Sequence, residues 1–256
     1  MTMADGCLNF DTNINKEGFE KGLKSLSDMV GDIKPKLKSL AMALTAAFSV
    51  KKLVDFGRQS IETASDLAEV QNVVDTAFGE SKQKMEDFAD TAVKTYGISK
   101  LTAKQTGSNF MAMAAGMGLA NDSASDMAMA LTGLSADMAS FYNVGQDVAS
   151  TALKSIFTGE TETLKQFGIV MTDANLQAYA LSKGITKSTA DMSQAEKVQL
   201  RYNYVMSQTA LAQGDFAKTS DSWANQTRIL SEQWKEFGAT IGTVPVSYTH
   251  LRAHET

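Results

Sequence analysis

Residues 121–143 read NDSASDMAMALTGLSADMASFYN, and the spacing of their apolar side chains sets the expectation for the whole chain. Met127, Leu131, Leu134, Met138 and Phe141 recur at intervals of four, three, four and three, the period of one face of an α-helix. Asp122 or Ser123 is placed to cap the start, because a short oxygen-bearing side chain can accept an amide of the first turn. The seam has heptad-like spacing over too few turns to establish a coiled coil.

The surroundings of this helix are unusual in composition. No lysine or arginine occurs between Lys104 and Lys154, while Met111, Met113, Met117, Met127, Met129 and Met138 are crowded among alanine, glycine and serine. Small residues let helices approach closely, and the unbranched methionine side chain fits irregular gaps. The pattern fits a tightly packed core or an interface with other copies, and methionine at helical spacing favours the core.

Helical periods continue in both directions. Upstream, Leu67, Val70, Val74 and Phe78 share one side and Gly79 allows a break. Met85, Phe88, Ala92 and Tyr96 repeat the stripe, and Gly97–Ile98 reads as a left-handed C-cap with its apolar contact. Ser99 can open the next helix, which carries Phe110, Met113 and Met117 until Gly116 and Gly118 loosen it. Farther upstream, Leu8, Phe10, Thr12 and Ile14 alternate as in a half-buried strand or extended arm. Phe19, Leu23, Leu26 and Val30 make one helix, Pro35 interrupts, and a second runs through Leu37, Leu40, Leu44 and Phe48 to Phe56.

Downstream, Val148, Ala152 and Ile156 give another helix, TGET a turn, and GIVMTD an extended link to Asp173 as a cap. The next helix stops at Gly184. SQAE at 193–196 is a capping box, opening a stripe of Ala195, Val198, Tyr202, Val205, Thr209 and Ala212 that Gly214 closes. Trp223, Leu230, Trp234, Phe237 and Ile241 make the last stripe, ending near Gly242 and Pro245, with its aromatic rings read as packing. The fold class is therefore all-α: short to medium helices in an irregular bundle that can be extended, with one short amino-terminal strand or arm.

Composition agrees. Hydrophobic residues are 43% and charged residues 21%, ordinary for a globular chain, and two prolines in 256 residues favour helix. The longest apolar runs, 40–50 and 110–120, fall well short of the ~20 residues a spanning helix needs. A net charge of −5 does not suit sequence-specific nucleic-acid binding across the surface. The best basic patch, Lys34, Lys36 and Lys38 followed by Lys51, Lys52 and Arg58, reads as a solvated helix face. Cys7 is the only cysteine, so no intramolecular disulfide forms, and the opening residues lack the charged-then-apolar pattern of a secretory signal.

Little in the sequence points to catalysis. Both histidines, His250 and His254, lie in the terminal THLRAHET, with no other histidine to serve a nucleophile as base. Their i, i+4 spacing permits a shared zinc ion on a helix, but Leu251, Arg252 and Ala253 supply no glutamate base between them. The string VSYTHLRAHET also resembles translated adapter sequence, so residues 245–256 are expected to be a non-native tail on an amino-terminal fragment. AAGMGLA lacks the strand and lysine of a phosphate loop, and the carboxylate pairs Glu86–Asp87 and Glu160–Glu162 read as surface charge. No catalytic, cofactor or metal residue is assigned.

Three blocks carry a family resemblance: LTGLSADMASFYN at 131–143, ALKSIFTGETETLKQFGIVMT at 152–172 and RYNYVMSQTALAQGDFAKTSDSWANQTRIL at 201–230. In this order they resemble the core of tail tape measure proteins of long-tailed bacteriophages and prophages, over roughly residues 58–242. The resemblance implies a virion structural protein, not an enzyme, that sets tail length and occupies the tail lumen after assembly in the bacterial cytoplasm. It implies as partners other copies of the chain, the tail tube protein, tail assembly chaperones and distal tail or baseplate proteins, with host membrane contact on genome ejection. The expected divisions are 1–57, amino-terminal arm and helices; 58–184, Met/Ala-rich core; 185–244, helical hairpin; and 245–256, tail. A membrane-active ejection component is the alternative, and a cell-wall hydrolase the weakest reading.

Overall fold

The computed structural model describes the backbone of residues 50–253 and the side chains of 58–240. The expected arm at Leu8–Ile14, the helices before Val50, Cys7, Lys34, Lys36, Lys38 and His254 lie outside them, and of Lys51 and Lys52 only the helical backbone is described. The chain divides into Met1–Phe56 and Gly57–Thr256, and almost everything described belongs to the second unit. Among the described residues the fold is all-α, with no strand. Its longer helices are α1 (Val50–Phe78), α2 (Lys82–Tyr96), α3 (Lys100–Gly116) and α4 (Asn121–Phe141). They continue as α5 (Gln146–Leu153), the single turns α6 (Ser155–Thr158) and α7 (Glu162–Lys165), and α8 (Asp173–Ser182). The last three are α9 (Gln194–Gln208), the short α10 (Asp215–Lys218) and α11 (Trp223–Ala253).

The helix at the centre is α4. Its 3.6-residue stripe suggested one buried face, yet every residue from Leu131 to Ala139 is buried and only Phe141, at the end of the seam, turns outward. α2, α3, α5 and α10 pack around it, which its small residues permit. Gly133 makes the reason explicit: a Cβ there would lie 2.8 Å from Tyr96 Cε1 and Cζ, so the ring of α2 occupies the space a side chain would need. The polar residues of α4 are satisfied largely within the helix. Thr132 donates to the Ala128 carbonyl (2.7 Å), and Ser135 donates to Thr132 O (2.7 Å) while accepting from Gln146 (2.8 Å). The buried hydroxyls of Ser108 and Ser125 find no hydrogen-bond partner among the described residues. The methionine-rich stretch is core: Met111, Met127 and Met138 are buried, and Met113, Met117 and Met129 pack against them.

The start of α4 corrects the sequence expectation. Neither Asp122 nor Ser123 caps it; Ala120 holds the N-cap position and offers no side-chain bond. Asn121 and Asp122 are engaged elsewhere, both accepting the Ser81 hydroxyl (2.7 and 3.2 Å), while Asn121 donates to Phe78 O (3.2 Å). They dock the 3-10 turn Gly79–Ser81 between α1 and α2. α8 is capped by Thr172, one residue before the expected Asp173. At α5, Ala149 and Ala152 face inward and Val148 is exposed. α9 ends at Gln208, so Thr209 and Ala212 are buried in the following turn, not on the helix.

One stop signal recurs. Gly97–Ile98, Gly118–Leu119, Asn143–Val144, Gly168–Ile169 and Gly184–Ile185 each pair a left-handed residue with an apolar one. In the last four the apolar residue's amide returns to the carbonyl five residues back, at 2.9–3.2 Å. Gly97 is the most constrained, with φ +64° and space for a Cβ already taken by Phe216 Cζ. The capping box at Ser193–Glu196 is present as read.

A second anchor is a half-buried ion pair. Lys104 of α3 meets Glu86 of α2 at 2.6 Å, and Gln71 of α1 donates to Glu86 (2.8 Å) while accepting from Lys104. Glu86 is thus tied to the core, unlike Asp87, which accepts from Gln83 at the surface.

Two substitutions test the packing of α4. Gly133→Ala forces Tyr96 aside and is expected to destabilise by ~1–3 kcal/mol, set against up to ~1 kcal/mol of gained helix propensity. Ser125→Ala removes an unpaired buried hydroxyl and is expected to be neutral or stabilising. Urea unfolding midpoints of the two variants distinguish these outcomes.

Candidate interaction surface on the carboxyl-terminal helix

α11 joins the body through polar groups. Glu232 accepts from the Ser99 amide (2.9 Å) and the Thr102 hydroxyl (3.2 Å), and one turn later Glu236 accepts from the Lys100 amide (2.9 Å). These amides open α3, where a helix leaves donors without internal partners and its dipole favours negative charge. Burial pushes the Glu232 carboxyl up, but hydrogen bonds from Lys235 and from Ser99 outweigh it and hold the group below the usual carboxylate range. At the other end of the contact, Asn225 donates to Ser140 Oγ (2.9 Å) and Thr219 Oγ1 (2.8 Å), and Arg228 to Val144 O (3.1 Å). Farther along, Gly238 lies against Ser60 of α1, and Ala239 is buried.

The link into α11 is fixed by a buried acid. Asp137, deep in α4, accepts the amides of Gly214 (2.8 Å) and Phe216 (3.2 Å), and so sets the start of α10. Burial raises its carboxyl above the ordinary value, against the two amides that favour the charged form. Phe216 is thereby held on Gly97, closing the floor of a cleft of about 570 Å³ beneath α11. Ile98, Ala136 and Ala139 line the floor, with Gln146, Asp147, Arg228 and Lys235 above. A smaller hollow of about 270 Å³ lies beside Lys197 and Arg201. There the guanidinium lies against Gly159 and reaches the Ile156 and Phe157 carbonyls (3.4 Å), so it serves the end of α6.

The opposite face of α11 corrects in part the expectation that its aromatic stripe is packed: Phe237 is half-buried, but Trp223 is not packed. Trp223 is 87% exposed, Leu230 68% and Trp234 52%, with Trp234 against Phe237 at 5.6 Å. The cause is that the polar side faces the body. The helix also runs on through Gly242 and Pro245 to Ala253, past the expected stop. Proline removes one backbone donor and glycine weakens a helix, but neither compels it to end.

The sequence assigned no catalytic or metal residue, and the features it weighed do not converge. His250 belongs to the backbone of α11, Glu162 pairs with Lys165 (2.6 Å), and Arg58 is exposed. Among the described residues no group of three His, Cys, Asp or Glu could hold a metal ion, and no helix is long and apolar enough to cross a membrane. No family model, curated protein or solved structure matches the chain. Sequence reasoning missed Asp137, Glu232 and Glu236. The i, i+4 spacing of the two glutamates, opposite the tryptophans, was the available signal, but nothing local names amides over 130 residues earlier as their partners.

The two buried acids give opposite pH dependences. Glu232 is depressed in the folded state, so its stabilisation is complete above its unfolded value and is lost as pH falls through the folded one. Asp137 is raised, so its contribution declines as pH climbs from the unfolded value through the folded one. Glu232→Gln is expected to cost ~1–3 kcal/mol at neutral pH and to flatten the acid-side loss of stability. Asp137→Asn is expected to steepen that loss. Urea midpoints measured across the acid range check both signs.

Proposed function

We propose that this chain is a structural component of a phage tail, a tape measure protein that acts by shape and contact. The observation that carries the reading is where the three family-like blocks fall. Residues 131–143 are the enclosed half of α4 and its left-handed stop at Asn143. Residues 152–172 run from the end of α5 through α6 and α7 to the Thr172 cap. Residues 201–230 include α10 with Phe216 and the Asn225 and Arg228 attachments of α11. Each block thus contributes buried framework residues as well as exposed turns, and the former support a shared fold as the source of the resemblance.

On this reading several copies lie in the lumen of the growing tail while tube subunits assemble around them, and the copies leave ahead of the genome on ejection. Tail assembly chaperones, the tube protein and distal tail proteins are the proposed partners, met first in the bacterial cytoplasm. Helix is suited to the task, because its length grows by ~1.5 Å per residue whereas a globule widens only slowly. α11, at 31 residues, already spans ~46 Å on that scale.

The test is tail length. In a phage carrying this gene, in-frame removal of whole helical turns is expected to shorten tails by ~1.5 Å per residue removed, read by negative-stain microscopy. Tails of unchanged length would refute the reading.

A further inference from the structure

The smaller hollow, beside α9, gathers charges without pairing them. Lys197 and Arg201 stand one turn apart on one face of α9, and Asp173, the first residue of α8, lines the same hollow. Among the described residues neither the Lys197 ammonium nor the Asp173 carboxylate has a hydrogen bond or an ion pair. Elsewhere Lys84, Lys104, Lys165, Lys187 and Lys235 each hold a carboxylate at 2.5–3.0 Å. Arg201 is bonded only through Nη1, to two carbonyls at 3.4 Å, long for a hydrogen bond. Burial lowers its guanidinium from the ordinary value and the charge of Asp173 acts the other way, so the two groups sense each other without meeting. The floor is apolar, with Leu176 and Leu200 both buried. The rim is held in place: the Thr189 amide donates to Gln177 Oε1 (2.8 Å), Thr172 caps α8, and Lys187 holds Glu196 (2.7 Å) across the link from α8 to α9.

We propose that this hollow binds a small zwitterion, a free α-amino acid with an apolar side chain. Two cations a helical turn apart can flank one carboxylate, and a guanidinium offers it paired N–H donors. Asp173 on the same hollow repels a bare anion and favours a ligand that carries an ammonium beside its carboxylate. Leu176 and Leu200 then receive the side chain, whose burial adds to affinity. A phosphate or dicarboxylate lacks the group that Asp173 selects, and an amine lacks the group that the two cations select. The hollow of about 270 Å³ lies just under the size of pockets that take drug-sized molecules, which suits a ligand of this scale.

The inference goes beyond the proposed function and stands apart from it, because tail length in the deletion series does not bear on it. Free leucine titrated into the isotope-labelled full chain is expected to give saturable amide NMR shifts centred on the residues of α8, α9 and Thr189 that line the hollow. Isocaproate, which lacks the ammonium, and isopentylamine, which lacks the carboxylate, are expected to bind at least ~10-fold more weakly. Lys197→Gln is expected to weaken leucine at least ~10-fold, and Asp173→Asn to bring leucine down to the level of isocaproate. Both side chains lack polar partners in the fold, so helical circular dichroism is expected to be unchanged; if either variant fails to fold, the analogue series on the wild-type chain decides. No saturation by ~10 mM leucine, isocaproate binding as well as leucine, or leucine affinity untouched by both variants would each overturn the proposal.

Discussion

A helix enclosed on all sides, as α4 is from Leu131 to Ala139, has to solve two problems at once: neighbours must come close to its backbone from every direction, and no polar group may be stranded. α4 meets the first with alanine, serine and glycine, most sharply at Gly133, where the ring of Tyr96 occupies the place of a side chain. It meets the second by turning Thr132 and Ser135 back on its own carbonyls and by giving Asp137 two amides to accept. Ser125 is where the solution is incomplete. The remaining architecture follows: α2, α3, α5 and α10 are the shell that this composition admits.

That constraint also bears on how the helices around α4 are joined. A shell wrapped round a central rod must turn sharply, and this chain turns by a repeated device, a left-handed residue followed by an apolar one. At Asn143 a non-glycine residue takes φ +53° so that Val144 can pack on the core and return its amide to Ala139. Asparagine tolerates that conformation better than most side chains. Each such stop saturates exposed carbonyls, and at all but Gly184 the apolar residue that follows packs on the core, whereas Ile185 stays exposed.

Periodicity made much of this legible. The helices, the Gly97 stop, the Ser99 cap and the capping box at Ser193 can be read along the chain because each depends on residues a few positions apart. The failures share a cause. Whether Asp122 caps a helix or binds Ser81 depends on a residue 41 positions away. A four-three pattern fixes which residues lie on one side of α4 but not whether the other side is open, and for α11 it could not tell which side the body would take. Asp137 appears as an ordinary acid in a small-residue helix until the amides of Gly214 and Phe216 arrive from the other end of the fold.

The attachment of α11 is what distinguishes this domain from an ordinary bundle. Its hold on the body consists largely of hydrogen bonds that its carboxylates accept from amides at the start of α3 and that the Asn225 amide and the Arg228 guanidinium donate near the end of α4, each worth ~1 kcal/mol net and up to ~3 where a charge is involved. Burying a large apolar side chain is worth ~1.5–3 kcal/mol, so placing its tryptophan-and-leucine side inward would have secured the helix more simply. Turning Trp223 and Leu230 outward leaves their apolar surface in water, and polar bonding to helix ends fixes the orientation because an amide needs an acceptor and a carbonyl a donor. The orientation of α11 is thus set by polar bonds to the body rather than by burial of Trp223 and Leu230.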